Sequence, residues 1–554
     1  MKNLMVLILL LLGWFSCGWA AEKSSTLFTN ATFYLTPEKT AKNLLVVAGK
    51  VAGADVDPAK YPAATVVDLN GAFAYPGFHD SHCHLLEAGM GLTGVDLEGC
   101  TNSDAIVAQV ATNAAKTPKG KPIIGVGFHL SNYDAWNLKD LAKIDKAAGD
   151  HLFIAMDNLG HNCITNSIVM KKYGIKANSI VGPAGKIISQ NGKPTGMLKE
   201  SAMILAGGPM MKLFSNELVS AGVLKIMNLW TQFGYTQFSD MMGTPMGLLM
   251  RPEIFKDLEK QGKLPLRVDY TYTIFSLKDI PKALPYVGKD TDMVRFIGLK
   301  IFVDGAFGAG QAWTSWKNLQ GNNGVYYVYY NDDKFGKDYN LTRIVEKADD
   351  LKLNVHYHVQ GDQGIETILK ALEALKAKRG KLSSTHTLIH LGFPRADQIA
   401  RLKKFGDKVN ATMQPGLWAA ESDIKNYYGK RAKDAYPVMS VIRGGITTGF
   451  STDFSVSPLD IAPPLVIMGI AANPQKYGFP ANQAISPKDI VKGFTAGSSA
   501  TIPKKDTGSL ETGKWADMVV FSQDLFATLP ADLAKVKVLS TWVGGRKVFE
   551  AKEK

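Results

Sequence analysis

Cysteine is scarce in this sequence, with four residues in a chain of 554. If a leader containing Cys17 is removed, Cys83, Cys100 and Cys163 remain, and an odd number cannot form a disulfide framework. Apolar residues make up 46% of the chain and charged residues 20%, a composition that excludes disordered and collagen-like proteins. Stability must therefore come from a large hydrophobic core.

Long apolar runs are missing after residue 20, because charged side chains interrupt every stretch before it reaches the roughly 18 residues of a membrane span. We therefore expect no stable membrane span in the mature chain. The start combines Lys2, an apolar run at 4–15 and small residues up to Ala20, which predicts a signal peptide over residues 1–20. The protein is then exported, either periplasmic or secreted. Lipoprotein anchoring through Cys17 and an uncleaved anchor are the alternatives.

A concentrated basic surface is absent as well. The formal net charge is +13, but the lysines are dispersed beside acidic residues, and no basic stripe interleaved with aromatic residues occurs. This pattern indicates solvated charged faces and predicts no nucleic-acid partner.

Two patterns divide the chain. Residues 21–76 and 505–554 carry short β-like runs separated by turns such as Asn70-Gly71, whereas residues 77–504 alternate apolar runs with helical stretches. The second pattern is typical of parallel β/α units. We therefore predict an α/β fold: a (β/α)8 TIM barrel at 77–504 with insertions, and a small composite β-sandwich domain formed by the two terminal segments. The apolar runs that predict strands are 122–126, 152–156, 266–272, 296–303, 353–358, 385–391, 409–413 and 446–450.

The placement of the ten histidines carries the functional signal. His82 and His84 follow the first predicted barrel strand, and their spacing puts both on one strand face, where two imidazoles can share a metal. His358, His390 and Asp453 end later apolar runs. Any one of these groups alone is equally compatible with a buried core residue. Groups that follow successive strands, however, converge on the carboxyl-terminal mouth of a barrel, where catalytic residues of this fold lie.

A series of motifs in fixed order covers nearly the whole mature chain. On these motifs the sequence resembles the amidohydrolase superfamily, and within it the amidohydrolase-3, or YtcJ-like, branch that includes N-substituted formamide deformylases. The matching segments are 76–84 for PGFxDxHxH, 160–167 for GH…NS, 192–200 for DGxPTGxLxE, 300–305 for KxxxDG, 358–362 for HxxGD, His390 for EH, 451–453 for GSD and 508–517 for GSLExGKxAD.

The resemblance implies a ligand set for one or two divalent ions, for which imidazole and carboxylate groups favour zinc. His82, His84 and Asp453 would hold one ion, and His358 and His390 would hold a second.

Lys300 is implied as the bridging ligand after carbamylation by carbon dioxide, because a plain ammonium cannot ligate a cation. Glu200 is a rival or additional ligand, and an ion pair of Lys300 with Asp304 is the structural alternative. Asp453 is placed to take a proton from the attacking water and return it to the leaving amine. His161 would stabilise charge on the substrate carbonyl oxygen, or else be a buried hydrogen-bonded residue.

The expected function is that of an exported metal-dependent amidohydrolase, which hydrolyses a non-peptide C–N bond in a small-molecule amide or N-formyl amine through a metal-activated water. A deaminase or cyclic-amide hydrolase on the same scaffold is the alternative, and a non-catalytic exported binding protein is a third hypothesis. His79, Ile389 and Thr452 depart from the family pattern beside the ligands, which leaves the substrate open. Association into a homo-oligomer is also left open.

Overall fold

The structure of the protein is a computed structural model. It describes residues 25–552 apart from 93, 131, 158–159, 182–183, 212, 214, 244–249, 329 and 331–335. The predicted signal peptide and Cys17 lie outside the described residues. Within the described part of the chain, no helix is both long and apolar enough to cross a membrane.

The described residues form 22 strands and 15 α-helices. The strands are β1 (Ser25–Thr36), β2 (Lys39–Ala41), β3 (Leu44–Val47), β4 (Lys50–Ala54), β5 (Thr65–Pro76), β6 (Phe78–Cys83), β7 (Val95–Asp96), β8 (Ile123–Phe128), β9 (Phe153–Asp157), β10 (Asn162–Thr165), β11 (Lys186–Gln190), β12 (Lys193–Lys199), β13 (Tyr235–Asp240), β14 (Arg267–Ile274), β15 (Val294–Phe302), β16 (Val355–Val359), β17 (His386–His390), β18 (Val409–Met413), β19 (Thr448–Phe450), β20 (Met518–Phe521), β21 (Val538–Val543) and β22 (Arg546–Glu550). The helices are α1 (Leu85–Gly91), α2 (Ser103–Ala114), α3 (Leu138–Ala148), α4 (Ser167–Lys172), α5 (Ile204–Met211), α6 (Asn216–Gln232), α7 (Pro252–Lys260), α8 (Ile280–Ala283), α9 (Leu341–Asp350), α10 (Asp362–Arg379), α11 (Ala396–Lys403), α12 (Glu421–Tyr428), α13 (Val438–Arg443), α14 (Pro464–Ala472) and α15 (Pro487–Lys492).

Eight parallel strands form the barrel, in the order β19-β18-β17-β16-β15-β14-β13-β6. The seam between β19 and β6 is bridged by the Ser81 hydroxyl, which donates to the Phe450 carbonyl at 2.9 Å. Just beyond the strands, the Asp453 N–H donates to the His82 carbonyl at 3.0 Å. The predicted (β/α)8 barrel is confirmed.

Two of the runs predicted as barrel strands belong elsewhere, and one barrel strand was not predicted. The runs at 122–126 and 152–156 form β8 and β9 of a second sheet, because an apolar run indicates a buried strand but not its partners. The missing strand is β13, which is fully buried yet carries Thr236, Gln237, Ser239 and Asp240. Such a polar sequence gives no apolar run.

The second sheet is inserted between β6 and β13. Its six strands have the order β11-β12-β10-β9-β8-β7, with β7 to β9 parallel and the rest antiparallel. It has a core of its own, to which Ile106 of α2, Ile144 of α3 and Phe153 of β9 contribute. The insertion is therefore a packed layer beside the barrel.

The two terminal segments meet in one mixed sheet, in which β5 pairs with β1 on one side and with β20 on the other. Asn70-Gly71 is not a turn between strands, as predicted, but lies inside β5, where the pairing shifts from Thr29↔Asp68 to Ala31↔Ala72. Such an irregularity bends a sheet. Where a sandwich was predicted, the terminal segments form one continuous eight-stranded sheet, with the 12-residue strands β1 and β5 side by side near its middle.

Two buried arginines tie the amino end of the barrel to the C-terminal segment. Arg267 begins β14, and its guanidinium donates to the two Asp517 carboxylate oxygens at 2.6 and 3.0 Å. Arg295 in β15 donates to Asp269 at 2.8 Å and to Asp506 at 2.7 Å. Both arginine side chains are about 1–2% exposed. We call these five residues the amino-end ion cluster.

Candidate metal centre

His82 and His84 leave the barrel at the end of β6, and both are almost fully buried. The His82 Nε2 atom lies 2.9 Å from Asp453 Oδ1, and the His84 Nε2 atom lies 3.5 Å from the same oxygen. The two imidazole rings stand nearly perpendicular, with centroids 5.1 Å apart. The first predicted pair of ligands therefore converges on one carboxylate.

Asp453 follows β19 in a left-handed backbone conformation with φ of 61°, which residues other than glycine adopt at a cost in free energy. Asp80 holds this loop, because its carboxylate accepts hydrogen bonds from the Thr452 N–H at 2.9 Å and the Thr452 hydroxyl at 2.6 Å. Burial acts to raise the pKa of Asp453, but the adjacent imidazoles of His82 and His390 hold this pKa well below its ordinary value. Asp453 is therefore ionised.

His358 in β16 and His390 at the end of β17 face each other. His390 Nδ1–H donates to the Gln414 side-chain oxygen at 2.9 Å, which leaves the Nε2 lone pair free to bind an ion. That Nε2 atom lies 3.0 Å from His358 Nδ1. Two nitrogen ligands of one zinc ion lie about 3.0–3.4 Å apart, since each Zn–N bond is about 2.0–2.1 Å. Burial lowers the pKa of His390 to about 4 and that of His358 well below its ordinary value, so both imidazoles are neutral.

Lys300 in β15 is 1% exposed, and its ammonium nitrogen has no hydrogen-bond partner among the described residues. Burial lowers its pKa to about 7. Asp304 is not its partner: the Asp304 carboxylate accepts the N–H groups of Gln360, Gly361 and Trp313 at 2.6–3.0 Å. The predicted alternative of a Lys300–Asp304 ion pair is therefore wrong, because Asp304 anchors neighbouring loops instead.

His161 and Glu200 come from the inserted sheet, between β9 and β10 and just after β12. The His161 Nδ1–H donates to Glu200 Oε2 at 2.9 Å. Burial acts to lower the pKa of His161, but the Glu200 charge raises it above its ordinary value. The His161 ring lies 6.0 Å from the His358 ring, whereas Glu200 lies behind His161 and does not line the cavity described next.

One cavity of about 150 Å³ brings together all the predicted site residues except Glu200. Within it, ligand atoms of His82, His390 and Asp453 all lie within 4.8 Å of one another, a group that crosses the predicted division into two ion sites. The His358 Nε2 atom and the Lys300 nitrogen point inward without partners in the described structure. Neutral buried imidazoles around an ionised carboxylate are the donor set of a divalent first-row metal, so the residues fit such an ion.

Three residues that contact the site were not predicted from the sequence: Asp80, Gln414 and Phe302, whose ring centroid lies 5.0 Å from the Lys300 nitrogen. Asp80 lies inside the segment 76–84, two residues before His82, and its spacing was the available signal. Gln414 directly follows β18, and Phe302 lies two residues after Lys300 on the same strand face. The positions of Gln414 and Phe302 at strand ends were a signal for a place at the barrel mouth, although their residue types gave no signal.

The fold and this site define a metal-dependent hydrolase: a parallel barrel with imidazoles, a carboxylate and a buried lysine at its carboxyl mouth. The chain belongs to the amidohydrolase family, since the Amidohydro_3 model, described as "Amidohydrolase family", matches residues 65–549.

Known relatives extend over nearly the whole chain. "Putative amidohydrolase YtcJ" of Bacillus subtilis (strain 168) is 25% identical over 503 residues, which are 88% of this chain and 91% of the relative. The N-substituted formamide deformylase of Arthrobacter pascens is 24% identical over 531 residues, covering 91% and 94% of the two chains. The crystal structure of an uncharacterized metal-dependent hydrolase from Pyrococcus horikoshii OT3 has the same fold, with a TM-score of 0.70, 23% identity and coverage of 92% and 99%.

Proposed function

We propose that the protein hydrolyses the C–N bond of a small-molecule amide or N-formyl amine. The observation that carries this proposal is the set of inward, unpartnered groups of Lys300 and His358 beside the ionised Asp453. A relative named for deformylating N-substituted formamides supports the N-formyl class of substrate.

The ligands we propose are His82, His84, His358, His390 and Asp453, with zinc as the metal, and the group of His82, His390 and Asp453 spans the two ion sites that the family resemblance implies. A divalent metal in such a site supplies an activated water at neutral pH. Distances of 2.9–3.5 Å from Asp453 to the first two imidazoles, and of 3.0 Å between the second two, support this assignment.

Lys300 is the bridge we propose, as its carbamate. The neutral amine, favoured by a pKa of about 7, attacks carbon dioxide and loses a proton, which creates an anionic ligand. Glu200 is the weaker candidate because its carboxylate accepts the His161 hydrogen bond and lies outside the cavity lining.

Asp453 and His161 perform the proton and charge chemistry in this proposal. Asp453 accepts the proton of the attacking water and delivers it to the leaving amine. His161, oriented by Glu200, whose charge raises the His161 pKa, donates to the carbonyl oxygen as negative charge develops on it.

Metal analysis joined to a substrate screen tests this function. The purified mature protein should contain one to two divalent ions per chain, and less than about 0.2 ions per chain after growth with added zinc would contradict it. The metal-loaded protein should then hydrolyse members of a panel of amides, N-formyl amines and cyclic amides. Release of ammonia from aminated heterocycles, with no turnover of amides, would instead establish a deaminase.

Export is a further part of the proposal, supported by the charged and apolar pattern of residues 1–20. Mass spectrometry of protein from the native host should find Ala21 as the first residue. An intact Met1 in the mature protein would contradict cleavage, and a lipid-modified Cys17 would establish anchoring.

A further inference from the structure

A second cavity lies beside the metal cavity at the carboxyl end of the barrel. It has a volume of about 170 Å³, is partly open to solvent on the side of the exposed Ile180, and lies between the ends of β14 and β15, the loop after β15 and the inserted segment that begins α5. Among the described residues, Phe302 is the single residue that lines both cavities. Its ring stands 5.1 Å from the ring of His358, so this side chain is the wall between them.

The lining of the second cavity selects an uncharged, apolar group. Apart from Phe302, its walls are formed mainly by the aliphatic and aromatic side chains of Val181, Ile204, Leu205, Ile274 and Phe275. None of the described lining residues carries a charge. A charged ligand would lose its hydration without compensation there.

One polar atom in this lining has no partner in the described structure. Tyr327 is 5% exposed, and its hydroxyl makes no hydrogen bond. A buried hydroxyl without a partner costs free energy that a suitably placed ligand atom recovers. The volume of the cavity limits the size of the ligand, because an apolar cavity of about 150 Å³ in another protein binds one benzene molecule.

We propose that the second cavity is a substrate subsite for an apolar group of about one aromatic ring with one hydrogen-bonding atom, and that Phe302 determines which substrates reach it. The role as a substrate subsite rests on the proposed hydrolase function. Binding of an uncharged aromatic molecule in the cavity does not depend on that function, so binding and the substrate role are tested separately.

The first experiment measures binding without turnover, with p-cresol and toluene titrated by calorimetry into the metal-loaded full chain. We expect p-cresol to bind more tightly, and Tyr327→Phe to weaken p-cresol about fivefold while affecting toluene much less. Ile204→Trp, which fills the second cavity, should reduce the affinity for both molecules about tenfold or more. Ile168→Trp, on the exposed face of α4, is the matched control and should leave both affinities unchanged.

Leu417→Trp narrows the metal cavity, of which Leu417 is a lining residue, and shows which cavity is occupied. If Leu417→Trp abolishes p-cresol binding while Ile204→Trp does not change it, the aromatic molecule occupies the metal cavity and the proposal is overturned. Circular dichroism of each variant establishes that it has folded, and Leu205→Phe repeats the test with a smaller side chain if Ile204→Trp does not fold.

The second experiment tests the substrate role, by comparing N-formyl amines whose distal group is lengthened one methylene at a time. Phe302→Ala should raise kcat/KM for the long members relative to N-methylformamide, by about fourfold for each methylene that enters the second cavity. An unchanged ratio overturns the subsite role. Absence of turnover with every substrate, together with intact p-cresol binding, contradicts the hydrolase function and leaves the cavity as a binding site.

Discussion

The two ends of the barrel bury charged groups in opposite ways. At the amino end, Arg267 and Arg295 donate to the three carboxylates of the amino-end ion cluster over distances of 2.6–3.0 Å. At the carboxyl end, the Lys300 nitrogen has no hydrogen-bond or ion-pair partner in the described structure, and the imidazoles of His358 and His390 face each other. Burial alone therefore does not distinguish the buried cations at the two ends. The arginines at the amino end are paired with carboxylates, whereas Lys300 at the carboxyl end is not.

The energetic consequences differ accordingly. A paired charge at the amino end becomes costly when its partner is removed. The unpaired ammonium of Lys300 at the carboxyl end is already costly, and its conversion to an anionic carbamate that binds a cation would offset that cost. Substitutions at the two ends should thus separate stability from activity.

The largest effect is expected at the carboxyl end, for Asp453→Asn. The loss of the proton carrier should lower turnover of an N-formyl amine by roughly 10²- to 10⁴-fold, while most of the metal remains because the imidazoles are unchanged. Steady-state kinetics and elemental analysis measure the two quantities. Asp269→Asn is the control at the amino end: it should lower the midpoint of unfolding and retain turnover per folded molecule. Equal losses of turnover in Asp453→Asn and Asp269→Asn would contradict the expected separation of activity at the carboxyl end from stability at the amino end.

Lys300→Ala should lose metal and activity together if carbamylated Lys300 is the bridge. Addition of a short-chain carboxylic acid should restore part of both, because its carboxylate can occupy the space left by the carbamate. Glu200→Ala is the comparison variant and should retain metal while its activity falls through misorientation of His161. Normal metal content in Lys300→Ala with metal loss in Glu200→Ala would transfer the bridge to Glu200.

Arg295→Met should destabilise the fold by about 3–5 kcal/mol, because Asp269 would stay buried without its charged partner. The shift of the denaturant midpoint of the metal-loaded protein measures this effect. The double variant Arg295→Met with Asp269→Leu should recover part of the stability, since no buried charge remains between these two positions, while Asp506 loses Arg295 but keeps Lys504 at 3.5 Å. A double variant less stable than Arg295→Met would show that the cluster acts through packing rather than through its charges.

The smallest effect concerns pH. Burial lowers the pKa of Lys300 to about 7 in the metal-free protein, so the neutral amine that reacts with carbon dioxide increases as pH rises through 7. At a fixed concentration of dissolved carbon dioxide, the initial rate of carbamate formation should increase about tenfold between pH 6 and pH 8. The initial growth of the carbamate carbon resonance, obtained with isotopically labelled carbon dioxide, measures this rate. An increase that begins only near pH 10 would mean that Lys300 has an ordinary environment.

From the sequence, the residues at the ends of the barrel strands were predicted more accurately than which apolar runs form those strands. His82, His358, His390 and Asp453 could be placed together because each follows a run of apolar residues, and the ends of parallel strands meet on one side of a barrel. β13 could not be predicted because four of its six side chains are polar, although the whole strand is buried. Pairing also escaped prediction, since the apolar runs of β8 and β9 resemble barrel strands but join another sheet.

The partners of the site residues were the least predictable feature. Lys300 and Asp304 are four residues apart and of opposite charge, which made an ion pair the structural alternative to a bridging role from sequence alone. Three backbone N–H groups from distant loops instead occupy the Asp304 carboxylate. Which groups bind the Asp304 carboxylate depends on tertiary contacts, and these cannot be predicted from the local sequence.

The insertion between β6 and β13 has a consequence for how this enzyme diversifies. The segment from Val95 to Glu200 contributes His161 and its partner, whereas all five imidazole and carboxylate ligands proposed here come from the barrel. Substrate preference can therefore evolve, or be engineered, by exchanging one contiguous module that keeps the equivalent of His161, while the ligands proposed at the barrel mouth are left unchanged. A graft that replaces residues 95–200 with those of a relative is the natural unit of such an exchange.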